Sequence, residues 1–159
     1  MADPKNILFA EDPLLAEKAA QIAASKKDIG PGFDRVHFAK DEVIFEENDM
    51  GDAAYLIVRG NVEIRKSVRS KTPKVLGYLG RGDVFGELAL FDNSPRMAEA
   101  WAKSNVEAIC ISRKEFLARL DSTDDVMKAI VLHMVKRVRS TSDSLLEQDD
   151  PDWNKWNKK

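Results

Sequence analysis

The chain has 159 residues, of which 43% are hydrophobic and 33% charged, and its formal net charge at pH 7 is -2. This length suits one domain with a hydrophobic core, and the near-neutral charge provides no basic surface for nucleic acid. No segment approaches the roughly 18 continuous apolar residues of a membrane span, and the N-terminus lacks a secretory signal pattern. We therefore expect a cytoplasmic protein that binds neither nucleic acid nor membrane.

The first predicted element is a helix over residues 12–27, whose apolar residues recur at helical spacing. Residues 28–32 contain two glycines and a proline, which end the helix. We assign residues 1–32 to an N-terminal helical segment.

Short apolar runs separated by turn residues follow between Phe33 and Ile111. The candidate strands are residues 35–38, 43–45, 54–59, 62–66, 74–79, 98–103 and 106–111. Strands at this spacing favour an antiparallel β-barrel or jelly roll, because βαβ units would place a helix between successive strands. With helices before and after the strands, the predicted fold class is α+β.

Two helices are predicted after the strands. The first begins after Ser112, a suitable N-cap, and the second begins near residues 122–125 and continues to about residue 148. Along the second helix, residues spaced alternately by four and three form a heptad seam: Met127, Val131, Met134, Val138, Thr141 and Leu145. We expect a homodimer through this seam; packing of the helix on its own domain alone is the alternative. Residues 33–148 are taken as one domain and residues 149–159 as a polar tail.

The segment over residues 82–96 combines groups that suit a phosphorylated sugar. Gly86 precedes good helix formers, so that backbone N–H groups at a helix start can point at an anion. Arg96 offers a planar guanidinium for phosphate oxygens, and Glu87 can accept a hydrogen bond from a sugar hydroxyl. Spacing alone leaves an alternative open, a surface turn with Arg96 in an exposed ion pair at the rim.

The run Phe85-Gly86-Glu87-Leu88-Ala89-Leu90, followed by Ser94-Pro95-Arg96, resembles the phosphate-binding cassette of cyclic nucleotide-binding domains. Residues 38–45 and 51–60 resemble the early strands and glycine turns of that family. The spacing from Glu87 to Arg96 is similar to that of eukaryotic kinase regulatory subunits, and the sequence after Arg96 is closer to bacterial cAMP receptor proteins. The resemblance covers residues 33–148 and implies a cyclic-nucleotide-binding roll with a short cassette helix and a long C-terminal helix.

The resemblance also implies roles for the cassette residues. Glu87 would bind the ribose 2′-hydroxyl and Arg96 the exocyclic phosphate oxygens. The backbone amides of Leu88, Ala89 and Met97 would complete the phosphate site beside Gly86. The implied ligand is cAMP, with cGMP less favoured, and no other cofactor is implied.

Carried forward from Arg96 to the long helix, the resemblance to the bacterial activators implies that Thr141 and Ser142 read the adenine amino group. The threonine would come from the same subunit and the serine from the other, with Arg137 near the ribose. The alternative is a pair of hydroxyls that are solvated or bonded to their own helix.

Two residues after the cassette depart from the family pattern. Met97 removes a side-chain hydroxyl from the phosphate site, which weakens the case for cGMP. Glu99 would repel the cyclic phosphate if it faced it, and strand alternation would place it on the same face as Met97.

The predicted function is therefore a cAMP-responsive sensor module that signals to an unidentified effector protein through its C-terminal helix. The alternative is a degenerate, ligand-free domain that serves dimerisation or docking. His37 and His133 are far apart in sequence, and no metal spacing, nucleophile elbow or Walker loop occurs. We expect no catalytic residue, no metal and no enzymatic activity.

Overall fold

The computed structural model describes residues 33–66, 74–91 and 94–149, together with the helical positions Glu17 and Gln21. For Arg139 and for residues 141–149 it describes only the helical backbone. Most of the predicted N-terminal helix and the whole polar tail after residue 149 lie outside the described residues. The chain divides into two compact units between Leu117 and Ala118. The assignment of residues 33–148 to one domain stays a prediction.

The first unit contains two four-stranded antiparallel sheets. In chain order, the described strands are β1 (Phe33–Phe38), β2 (Val43–Phe45), β3 (Ala53–Arg59), β4 (Val62–Lys66), β5 (Lys74–Leu79), β6 (Val84–Phe85), β7 (Glu99–Ala102) and β8 (Val106–Ser112). One sheet has the order β1-β8-β3-β6 and the other the order β2-β7-β4-β5. The predicted antiparallel roll is confirmed. The two-residue strand β6 was not predicted, because it is too short to show a periodic pattern.

The core lies between the two sheets. Alternation along the strands turns one side of each sheet inward: β4 and β7 place Val62 opposite Ala102 and Ile64 opposite Ala100. The buried cluster consists of Ile57, Val62, Leu79, Phe85, Ala100, Ala102, Val106 and Ala108. Small alanines next to large aliphatic residues let the sheets approach closely, because protein interiors pack without voids.

Of the three helices described after β6, the last two begin at a side-chain cap. A short 3-10 helix, Glu87–Leu90, comes directly after β6 and confirms the predicted cassette helix. Helix α1 (Arg113–Asp121) is capped by Ser112, whose Oγ accepts a hydrogen bond of 3.2 Å from the Glu115 N–H, as predicted. Helix α2 (Asp125–Asp149) begins after Asp124, whose Oδ1 accepts from two backbone N–H groups at 3.1 and 3.0 Å. Among the described residues, no helix is both long and apolar enough to cross a membrane.

Candidate ligand site

The cassette begins at a left-handed turn. β6 ends at Phe85, and Gly86 has φ 74° and ψ 10°, a conformation that glycine adopts without steric cost. This turn directs the chain into the 3-10 helix, whose first residue is Glu87 and whose start has no side-chain cap. Ala89 and Leu90 are buried, which fixes the short helix against the first unit.

Arg96 lies beside this turn and is buried, with 6% of its surface exposed. Its Nη1 donates to the Gly86 carbonyl oxygen at 2.8 Å, and its Nη2 donates to the Ala53 carbonyl oxygen at 2.6 Å. Its backbone is held as well, since the Arg96 N–H donates to the Asp49 carbonyl at 2.8 Å and the Asn48 N–H donates to the Arg96 carbonyl at 2.9 Å. The alternative of an exposed rim ion pair for Arg96 is wrong.

One donor of the guanidinium has no acceptor. Nε of Arg96 is buried and makes no hydrogen bond within the part of the chain that the structure describes. Burial lowers the pKa of Arg96, and the nearby phenol of Tyr55 when ionised, together with the carboxylates of Asp52, Glu87 and Asp49, opposes this shift. Because a buried, unpaired donor on a charged group costs free energy, an anion that accepted from it would be bound favourably.

Glu87 adds a carboxylate next to this cation. The residue as a whole is exposed, but the protein around its carboxyl group partly desolvates it. This desolvation raises the pKa of Glu87, while the residue's own backbone N–H and the Arg96 charge act in the opposite direction. The carboxylate is thus accessible to a ligand hydroxyl, which would replace part of the lost hydration.

A cluster of aromatic rings packs against the guanidinium of Arg96. The Arg96 Cζ lies 4.1 Å from the centroid of the Phe45 ring, a cation–π contact. The Phe45 ring is 6.3 Å from Tyr55 and 5.9 Å from Phe85, and Phe38 meets Tyr55 edge-on at 5.8 Å. This cluster could not be predicted from the sequence, because its rings come from four different strands and each ring fits an ordinary strand pattern.

Comparison with known proteins identifies the family. The family described as "Cyclic nucleotide-binding domain" matches residues 35–123, more than half of the chain. The chain belongs to the cyclic nucleotide-binding domain family.

Two of the similar proteins are named as regulatory proteins. The CRP-like cAMP-activated global transcriptional regulator of Mycobacterium tuberculosis is 28% identical over 126 residues, which make up 79% of this chain and 54% of the regulator. The cAMP-dependent protein kinase regulatory subunit of Aspergillus fumigatus is 37% identical over an alignment of 151 residues, which covers 80% of this chain and 36% of the subunit. The chain thus spans about half the length of the first relative and about a third of the second.

Solved structures give the same result for the fold. The cAMP-bound form of the EAL enzyme Bd1971 is 34% identical with a TM-score of 0.61, and covers 73% of this chain and 31% of that chain. Its cGMP-bound form is 36% identical with a TM-score of 0.62, and covers 72% of this chain and 31% of that chain. The matched part of this larger protein is therefore similar to the cyclic nucleotide-binding domain described here.

Glu99, the main departure from the pattern of this domain family, lies away from the cassette cation. It begins β7 directly opposite Arg65 in β4, is 7% exposed, and places Oε1 3.8 Å from the Arg65 Nε. Its neighbour Ala100 points into the core, so Glu99 points to the other side of the sheet. Arg96, in contrast, packs on Phe45, which contacts the core. The expectation that strand alternation relates Glu99 to Met97 is wrong, because Met97 lies in a bend before the strand begins.

Arg65 is the centre of a charge cluster on that outer side of the sheet. Its Nε is 3.0 Å from Glu63 Oε1, and its Cζ lies 3.8 Å above the Trp101 ring. Glu63 also accepts a hydrogen bond of 2.9 Å from the Lys103 Nζ. The side chains of Glu63 and Glu99 are each only 9% exposed, so Arg65 compensates two buried carboxylates at once.

Leu88 and Ala89 follow Glu87 in the same 3-10 helix, and the remaining predicted site residues belong to the bend after Arg96 and to α2. Met97 is half-buried in the bend after Arg96, and Arg137 is exposed on α2. Thr141 and Ser142 belong to the helical backbone of α2, and their side chains are outside the described part of the structure. The structure thus brings Gly86, Glu87 and Arg96 together in the first unit, whereas the roles of the α2 residues stay predictions.

The described residues bear on two further kinds of site, a metal site and a reactive cysteine. No cluster of three or more His, Cys, Asp or Glu side chains in that part of the chain could hold a metal ion. Cys110 is half-buried rather than fully buried, and burial raises the pKa of its thiol, which disfavours the reactive thiolate.

Glu87→Gln should stabilise the unliganded protein at pH 7, and by less near pH 4. Because the folded-state pKa of Glu87 is raised, ionisation opposes folding: the cost is absent below the unfolded pKa and fully present above the folded one. Glutamine removes this cost at pH 7, and near pH 4 the wild-type carboxyl is largely protonated already. Thermal unfolding of both proteins at the two pH values measures the difference. A gain in Tm no larger at pH 7 than at pH 4 would contradict the assigned desolvation.

Arg65→Met should lower the free energy of unfolding by about 3 kcal/mol, because it removes the Arg65 counter-charge from the buried Glu99 and leaves Glu63 with Lys103. Glu99→Gln should cost less, since Arg65 keeps Glu63. Lys128→Met is the matched control: Lys128 pairs with Asp121, whose side chain is 68% exposed, and such surface pairs contribute about 0–1 kcal/mol. Urea unfolding compares the three variants, and equal losses for Arg65→Met and Lys128→Met would show that the cluster is not a buried one.

Proposed function

We propose that this chain is a regulatory sensor module that binds a cyclic nucleotide and favours cAMP over cGMP. The observation that carries the proposal is the buried Arg96 guanidinium, held beside the start of the cassette helix with an unpaired Nε donor. Phosphate oxygens would supply both the missing acceptor and the counter-charge. The names of the relatives support this ligand class, since they include a cAMP-activated regulator, a cAMP-dependent kinase subunit and a cAMP-bound structure.

In this proposal two charged side chains of the cassette bind different parts of the ligand. Arg96 binds the exocyclic phosphate oxygens, and the exposed Glu87 accepts a hydrogen bond from the ribose 2′-hydroxyl. Gly86 has no side chain to block the approach of the sugar phosphate. The backbone amides of Leu88, Ala89 and Met97 complete the phosphate site.

Base preference is assigned to α2. Thr141 and Ser142 read the adenine amino group, the threonine from the same subunit and the serine from its partner, with Arg137 near the ribose. Met97 brings no hydroxyl to the phosphate site, which is the second reason to favour cAMP. The ligand is bound and not turned over, because no residue is assigned as a base to cleave the phosphodiester.

Titration calorimetry with cAMP and cGMP tests these assignments. Arg96→Ala should weaken both ligands by about 100-fold or more, since it removes charge-assisted hydrogen bonds that contribute about 1.5–3 kcal/mol each. Thr141→Ala should weaken mainly cAMP, by up to about tenfold for one neutral hydrogen bond. Arg59→Ala, which removes an exposed arginine at the end of β3, is the control and should bind like the wild type.

Two outcomes of these titrations would count against the proposal. Normal binding by Arg96→Ala would mean that the site assignment is wrong. No heat change for the folded wild type at high micromolar ligand would favour the alternative, a ligand-free domain used for dimerisation or docking.

Output is proposed to pass through a homodimer and then to an effector protein, in the cytoplasm. Along α2 the seam residues Met127, Met134 and Val138 are 49%, 61% and 50% exposed. Apolar side chains at heptad spacing with this exposure suit a second copy of the helix. Ligand binding would act by its different affinity for two arrangements of α2.

Met134→Glu should shift the protein towards monomer, because it places a charge in the apolar seam. Leu132→Glu introduces the same charge on α2 at a residue that is 43% exposed and outside the seam, and it should leave the oligomeric state unchanged. Sedimentation velocity of the wild type and both variants, with and without cAMP, measures the effect. A monomeric wild type at high micromolar concentration, or equal effects of both variants, would count against this interface.

A further inference from the structure

The guanidinium of Arg96 also lies directly against Gly51, in the turn before β3. A Cβ atom built on Gly51 would lie 2.8 Å from Nη2 and still closer to Nε and Cζ, and real Cβ atoms essentially never come under 3.0 Å. Gly51 does not have the left-handed φ that disfavours other residues. The three nearest atoms to this Cβ position all belong to Arg96, so the close approach of Arg96 is the main reason for glycine here.

Gly86 and the Phe45 ring also lie against the guanidinium of Arg96. A Cβ on Gly86 would lie 2.5 Å from Nη1, and the Phe45 ring lies on a further side at 4.1 Å. The carbonyl oxygens of Gly86 and Ala53 accept from the two terminal nitrogens. Gly86 combines a left-handed φ with close contact to Arg96, whereas Gly51 has the close contact without a left-handed φ. An alanine at Gly51 therefore tests the steric contact with Arg96 separately from the backbone conformation.

We propose that Gly51 is a positioning residue for the nucleotide site, because its missing side chain allows the Arg96 guanidinium to lie directly against it. An alanine at this position would displace the guanidinium and break its hydrogen bonds to Gly86 and Ala53. The phosphate would then meet a displaced cation. The effect on ligand affinity rests on the proposed function, whereas the packing of Gly51 against Arg96 rests on the geometry alone.

A double-mutant cycle without ligand tests the packing. Gly51→Ala should lower Tm in the wild type, where Arg96 fills the space. In the Arg96→Ala background the same change should leave Tm unchanged or raise it, since glycine-to-alanine changes at compatible positions reduce the entropy of the unfolded chain. Equal losses of Tm in both backgrounds would overturn the proposal. If Gly51→Ala alone does not fold, folding of the double variant supports the steric conflict, and failure of both overturns it.

Titration with cAMP tests the effect on the site. Gly51→Ala should weaken binding by about 10- to 100-fold, the equivalent of one charge-assisted hydrogen bond. Gly80→Ala is the matched control, because a Cβ there would meet only Asn61 Oδ1 at an ordinary 3.7 Å and φ is again not left-handed. Wild-type affinity in Gly51→Ala, or an equal loss in Gly80→Ala, would overturn the proposal. If the wild type itself binds no cAMP, the proposed function fails, and the stability cycle still decides whether Gly51 positions Arg96.

Discussion

A guanidinium that is taken out of water needs hydrogen-bond acceptors, and the cassette of this protein is arranged around that need. The Gly86 and Ala53 carbonyls accept from Arg96 and thereby connect the cassette start to β3. The left-handed turn at Gly86 aims one of these carbonyls, and the Phe45 ring covers the face of the cation. Since these groups come from segments far apart in sequence, Arg96 can be buried only when the two sheets are correctly assembled.

Two arginines in the first unit are largely withdrawn from water, and they are neutralised differently. Arg65 is paired with the carboxylates of Glu63 and Glu99 on the outer side of one sheet. Arg96 donates to neutral carbonyls. Both guanidinium groups keep buried donors without a hydrogen bond among the described residues: Nε of Arg96, and Nε and Nη2 of Arg65. Buried charges are stable when compensated, and a cation that lacks a direct carboxylate partner attracts an anion. Arg65 thus has direct carboxylate partners, whereas Arg96 donates to neutral carbonyls, with Asp49, Asp52 and Glu87 acting on it only from nearby.

Much of the fold could be predicted from the sequence, because strand periodicity, turn residues and helix caps are local signals. The cassette could be predicted through its resemblance to a known family, since the spacing of Glu87 and Arg96 alone also fits a surface turn. The role of Gly51 could not be found this way: a glycine between strands indicates a turn, and only the three-dimensional distance to Arg96 reveals a requirement for space. The sequence also could not show which way Glu99 faces relative to Met97, because side-chain alternation does not extend through the bend before β7.

The shifted pKa values indicate that the charged forms of Arg96 and Glu87 are destabilised in the free protein. Burial lowers the pKa of Arg96 and desolvation raises that of Glu87, so folding disfavours the charged form of both groups. A sugar phosphate would offer an anion to the first and a hydroxyl to the second, which are the interactions that the charged forms lack. Leaving these charged groups without these partners costs folding free energy in the free protein. A ligand that supplied the partners would remove this cost, and the free energy recovered would add to the affinity. Because the guanidinium is already held by two carbonyls, binding would not need to order it, and less of the interaction energy would be lost in ordering the side chain.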